Sequence, residues 1–107
     1  MIDTRYNDRF AASQWWRDAR YGMFIHWGAY AIPARGEWVR STERITVEDY
    51  EQYIDAFVPD PDFDEWADVA ARAGMKYAVL TAKHHDGYAL FDSKLSDYTT
   101  VKRGPQR

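Results

Sequence analysis

All three histidines of this sequence lie at the ends of two short apolar runs. His26 closes residues 22–28 (GMFIHWG), and His84 and His85 close residues 77–86 (YAVLTAKHHD). An imidazole donates, accepts, carries a proton or binds a metal according to its surroundings. Three of them at the ends of two similar runs therefore mark a candidate site. Glu37 and Trp38 add an acidic–aromatic pair on a connection that Pro33 and Gly36 punctuate. Imidazoles, a carboxylate and an indole together offer donors and acceptors to hydroxyl groups and a flat face to the apolar side of a sugar ring. That mixture suits a neutral polyol better than a phosphate, for which there is no glycine-rich cradle. Two readings compete with it. The imidazoles and Asp86 are ligand types of a nitrogen–oxygen metal site. However, neighbours on an extended strand face opposite sides, so His84 and His85 cannot both ligate one ion without a bend. Adjacent histidines also lack the i, i+4 spacing of a helical zinc motif. In the other reading each histidine is simply a satisfied core or rim residue.

These residues need elements to hold them. Residues 23–27 are apolar, aromatic and β-branched between two glycines, the pattern of a short buried strand. Upstream, Ser13 is placed to cap a short helical turn through Trp15, Trp16 and Ala19, with Gly22 as its stop; being adjacent, the two tryptophans cannot both enter a core fully. Residues 1–12 are polar and mixed and read as a loosely held leading segment. Residues 28–45 form a long connection, and connections of that length inside compact domains are often functional. Thr46 with Asp49 approximates a capping box, and Val47, Tyr50, Ile54 and Phe57 then recur on one helical face. Pro59 and Pro61 end that helix. Asp62 with Glu65 starts a second, whose stripe of Trp66, Val69, Ala70 and Ala73 reads as core and which Gly74 stops.

Residues 77–82 are apolar without alternation, which predicts a strand covered on both faces in a parallel sheet. Strand, helical crossover and strand make a βαβ unit with parallel strands and a right-handed crossover. In such folds ligands sit at the carboxyl ends of the strands. His26, His84 and His85 then open onto one rim if the strands are neighbours, about 4.8 Å apart, and Glu37 and Trp38 can reach it from the first loop. Asp86–Gly87 is alternatively a hairpin turn pairing residues 78–83 with 88–91, although the long helical insert favours α/β. Residues 102–107 (KRGPQR) carry no closing element.

Composition narrows the class. In 107 residues, 46% are hydrophobic and 17% aromatic, five of them tryptophan, enough for a core and against disorder. A net charge of −3 gives no electrostatic case for nucleic acid or an anionic membrane. The absence of cysteine removes disulfides, thiolate metal sites and thiol nucleophiles. Charges in MIDTRYNDRF stand where a signal peptide needs its apolar core, and no apolar run is long enough to span a bilayer. The expectation is a soluble, cytoplasmic protein; oligomeric state is not legible.

At these same residues the sequence resembles the family 29 glycoside hydrolases, the retaining α-L-fucosidases. Residues 16–28 (WRDARYGMFIHWG), Glu37–Trp38 and residues 77–94 (YAVLTAKHHDGYALFDSK) look like the family's first strand, following loop and second strand, and residues 96–102 (SDYTTVK) resemble the next segment. HWG and KHHDG at this separation are specific together and weak apart. The resemblance implies an α/β fold that is part of a (β/α)8, TIM-like barrel, about its first two βα units, with residues 1–107 as the N-terminal part of the catalytic barrel. The later strands and a β-sandwich domain would be absent. It implies that His26, Glu37, His84 and His85 hydrogen-bond fucose hydroxyls and that Trp38 lines the pocket, with neither cofactor nor metal. Glu37 is also a candidate acid/base. The family's nucleophile lies on a later strand, and Asp86 does not match it. A barrel of this kind needs roughly 250 residues, so the expectation is a fucose-binding portion that is inactive alone, marginal and aggregation-prone. Its partner would be a fucosylated oligosaccharide or glycoconjugate. A stand-alone carbohydrate-binding module and a histidine-based metal hydrolase are the alternatives.

Overall fold

Two short strands, β1 (Met23–Ile25) and β2 (Ala78–Leu80), pair side by side. The Met23 N–H donates to the Tyr77 carbonyl (2.9 Å) and the Thr81 N–H to the Ile25 carbonyl (3.1 Å). Both partners advance together along the chain, so the pairing is parallel and the helices between the strands form its crossover. The computed structural model describes residues 4–58 and 60–105. It divides into two compact units, Met1–Phe24 with Asp62–Val79 and Ile25–Pro61 with Leu80–Arg107. The C-terminal residue of each strand, and the loop that follows it, belong to the second unit.

The first unit contains α1 (Thr4–Ala12), α2 (Gln14–Ala19) and α5 (Phe63–Arg72). Where a loose leading segment is expected the chain is helical from Thr4; residues 1–3 lie outside the described residues. Ser13 does not cap α2, because its Oγ donates backwards to the Arg9 and Phe10 carbonyls. The helix stops at Arg20, in the left-handed conformation (φ 56°), rather than at Gly22. Gly22 instead permits a close approach, since a Cβ there would press into the Tyr77 ring. Trp15 and Trp16 both stay exposed, each meeting Tyr77 edge-on at 6.5 and 6.2 Å.

Asp62 caps α5 as its sequence predicts, accepting from the Glu65 N–H at 2.9 Å, and Gly74 (φ 80°) follows its end. The expected buried stripe is not buried. Val69 and Ala73 are exposed and Trp66 and Ala70 only half-buried. β2 departs in the same way, with all three residues exposed where cover on both faces is expected. An apolar stripe is buried only where a second apolar face lies on it, and no described residue of this unit reaches that state.

The core belongs to the second unit. Ala29, Tyr30, Val39, Tyr50, Ile54, Phe57 and Tyr88 form one buried cluster, with Trp27, Leu90 and Tyr98 against it. The connection over residues 28–45 is therefore not a bare loop. A 3-10 turn (Ala29–Ala31) and a short helix α3 (Val39–Thr42) pin it to α4 (Val47–Ala56) through buried Tyr30 and Val39. Thr46 caps α4, accepting from the Asp49 N–H at 3.1 Å. Tyr50, Ile54 and Phe57 are buried as predicted, whereas Val47, in the first turn, is 41% exposed. The helix ends at Ala56, ahead of Pro61; Pro59 lies outside the described residues.

Past β2 the chain does turn back at Asp86–Gly87, where Gly87 takes φ 81°. The return is one antiparallel bridge, Lys83 with Ala89, not a hairpin ladder. The chain then passes Thr99, fully buried and bridged to Ala89. The Tyr88 hydroxyl holds the following stretch through the Arg103 carbonyl at 2.7 Å. Residues 106–107 lie outside the described residues.

Candidate functional site

His26 follows β1 directly, and His84 and His85 lie four and five residues beyond Leu80, so both parallel strands deliver imidazoles at their carboxyl ends. Glu37 comes from the connection, just after Gly36, whose φ of 96° is open to glycine at little cost. An Arg35–Glu43 ion pair (2.6 Å) closes the base of that turn, and buried Val39 anchors its far side. The result is a convergence: His26, Glu37 and His84 each place a nitrogen or oxygen so that the three atoms lie within 4.8 Å of one another. Ring centroids of His26 and His84 are 5.3 Å apart.

Trp38 and His85 complete the rim. Their rings stack at 3.3 Å and 28°, and Trp38 also stands edge-on to His84 at 5.9 Å. Trp38 thus covers His85 with one face and remains 47% exposed. All five predicted site residues come together in the second unit. The two adjacent histidines do not face opposite sides as expected of an extended strand, because the chain turns over residues 84–87, with the Gly87 N–H donating to the His84 carbonyl at 3.0 Å. Their ring centroids lie 4.8 Å apart at 74°; His84 joins His26 and Glu37, while His85 stacks on the indole. The Nδ1 of His84 is buried with no hydrogen-bond partner among the described residues.

The sequence reading missed two supports. Tyr30, 5% exposed, packs edge-on against His84 at 5.6 Å, and its hydroxyl is 2.9 Å from the Thr81 Oγ1. Burial pushes the Tyr30 phenol up, the Thr81 contact opposes this, and the charges of Asp86 and Glu37 raise it further. An aromatic in a segment without periodicity gives no signal of its own; only proximity to HWG pointed there. The second support is Asp86. It is 2% exposed, accepting from the Tyr50 hydroxyl (2.8 Å) and the Tyr88 N–H (3.1 Å), while Arg40 donates to its carbonyl (2.9 Å). Both carboxylate oxygens are engaged inside the fold, so Asp86 anchors the turn that presents His84 and His85. It does not belong to the ligand-type cluster. The Tyr50 phenol is held far above its ordinary value, first by burial and then by the Asp86 charge.

Imidazoles exposed at His26 and His85 and half-buried at His84, around a half-buried carboxylate and with an indole beside them, can engage neighbouring hydroxyls on one small neutral ring. The same atoms are ligands of the type that borderline metal ions accept.

A family model described as alpha-L-fucosidase matches residues 3–107. Tissue alpha-L-fucosidase from Bos taurus is 34% identical over 114 residues, which cover 87% of this chain and 24% of that protein. Alpha-L-fucosidase isoenzyme 1 from Paenibacillus thiaminolyticus is 63% identical with a TM-score of 0.76, over 83% of this chain and 21% of that one. An alpha-L-fucosidase from Bacteroides thetaiotaomicron, solved as a trapped covalent intermediate with 2-fluoro-fucosyl fluoride, is 36% identical with a TM-score of 0.74. That match covers 86% of this chain and 24% of that one. The chain spans about a quarter of the length of the relatives it matches.

Proposed function

This chain belongs to the alpha-L-fucosidase family, and we propose that it is the N-terminal, fucose-binding portion of a retaining enzyme. That enzyme hydrolyses terminal α-L-fucosyl linkages in fucosylated oligosaccharides or glycoconjugates. β1 and β2 are, in this reading, the first two strands of a (β/α)8 barrel. The observation that carries it is the convergence of His26, Glu37 and His84 within 4.8 Å at the ends of parallel strands.

Ionised Glu37 accepts from a sugar hydroxyl, and the imidazoles of His26, His84 and His85 donate to or accept from its neighbours. Trp38 offers its remaining face to the apolar side of the ring. Retaining hydrolysis needs two carboxyl groups about 5–5.5 Å apart, one of them a nucleophile. Glu37 supplies one carboxylate to the cluster, and Asp86, engaged by Tyr50 and Tyr88, is not placed to serve as the other. The portion therefore holds the sugar and does not turn it over alone, and Glu37 acts in binding.

The test is a chimera in which this chain replaces the corresponding part of the Paenibacillus thiaminolyticus protein, assayed on an aryl α-L-fucoside. The chimera is expected to hydrolyse the substrate and the isolated chain to be inert. Glu37→Gln in the chimera should lose roughly 10–100-fold in kcat/KM, the size of one hydrogen bond to a charged group. A folded but inert chimera, or full turnover by the isolated chain, refutes the proposal.

A further inference from the structure

We propose that His26, Glu37 and His84 also form a binding site for a divalent transition-metal ion of the zinc type, which competes with the sugar. The donors are two imidazoles and one carboxylate, the set that zinc accepts in sites keeping an open position. It is a poor set for magnesium or calcium, which take oxygen ligands almost exclusively. A tetrahedral ion with bonds of about 2.0–2.2 Å spaces its ligand atoms roughly 3.4 Å apart. The three atoms already lie within 4.8 Å of one another, so closing on an ion takes side-chain adjustments of about an ångström. His26 is exposed and Glu37 and His84 only half-buried, which leaves room for those adjustments.

Three separate chain segments supply the ligands, and the fold has already brought them together. Such preorganisation lowers the ordering cost of binding. His84 has spare capacity as well, since its buried Nδ1 has no partner among the described residues. His85 takes no part, because its ring lies on Trp38. The site rests on this geometry alone; only the competition rests on the fucose reading.

Zinc chloride is titrated calorimetrically into the untagged chain in a weakly coordinating buffer. One ion per chain is expected. His26→Ala and His84→Ala should each weaken it by more than about tenfold, since even an outer-shell partner of a metal ligand is worth roughly 10–100-fold. Glu37→Gln should weaken it too. Asp68→Asn, on the acidic surface of α5, should leave it unchanged. Circular dichroism checks that each variant folds, and exposed His26 is the position least able to disturb the fold. No saturable binding, or binding indifferent to all three ligand substitutions, overturns the site. The titration is then repeated with excess L-fucose. A lowered zinc affinity supports the shared position; an unchanged one keeps the metal site, removes the competition and counts against fucose binding at these residues.

Discussion

Tyr50 and Asp86 lie 36 residues apart, and their hydrogen bond ties α4 to the turn that presents His84 and His85. Tyr50 is fully buried and Asp86 2% exposed, so neither group has water as a substitute partner. Tyr50→Phe removes one oxygen and leaves the ring in place. Its cost is that of a buried hydrogen bond to a charged acceptor, about 1.5–3 kcal/mol. Asp86→Asn keeps the shape and an acceptor for the Tyr88 N–H but deletes the charge that the phenol donates to. If the pair is coupled as the 2.8 Å distance indicates, the double variant loses less than the two single losses added together. The shortfall should be roughly 1–2 kcal/mol, well above the 0.3–0.5 kcal/mol within which independent sites add. Urea unfolding followed by near-ultraviolet circular dichroism reads the packed aromatics of this core, with constant slopes checking that the transition is unchanged. Additive losses, or a Tyr50→Phe cost below about 0.5 kcal/mol, refute the anchoring role of Asp86.

Three further outcomes follow from the geometry. Burial above all pushes Tyr98 up to about 12 from an ordinary value of 10.0, and Tyr50, Tyr30 and Tyr88 are raised too. Between about pH 10 and 12 the unfolded chain therefore loses phenolic protons that the native chain keeps. The stability held below pH 10 falls as pH rises through that window; independent titration of every tyrosine near 10 with the fold intact contradicts this. Gly22→Ala drives a Cβ into the Tyr77 ring and should cost about 1–3 kcal/mol in a thermal melt. Gly36→Ala meets nothing within 4 Å and carries only the left-handed penalty, about 1 kcal/mol; equal costs would show that crowding at Gly22 is unimportant. Finally, Val69→Lys on the uncovered stripe of α5 should change stability by less than about 0.5 kcal/mol while reducing dye binding and self-association. A loss of several kcal/mol would mean that the stripe is buried in solution.

Features governed by their neighbours in sequence were legible. Thr46 and Asp62 cap their helices because a side-chain oxygen two or three residues from a free N–H needs no tertiary partner. Gly74 follows the end of α5 because the left-handed turn there suits a residue without Cβ. Ser13 shows the limit of such signals: the same hydroxyl chose carbonyls of the preceding helix over the amides ahead. Burial was less legible. The stripes over Tyr50 and over Trp66 have the same helical period, yet only the first is covered, because cover depends on what else is present.

By itself the sequence determined which residue types could make a site, offered His26, Glu37, Trp38, His84 and His85 as the candidates, and predicted the parallel strands beside them. Those follow from side-chain chemistry and from periodicities that every strand and helix shares. Only the tertiary structure decided the partnership within the set. It put His84 with His26 and Glu37, gave His85 to Trp38, and turned Asp86 inward onto Tyr50 as a support. The choice between two adjacent histidines depends on the direction of the chain at one turn. That direction is set by contacts with α4, far away in sequence.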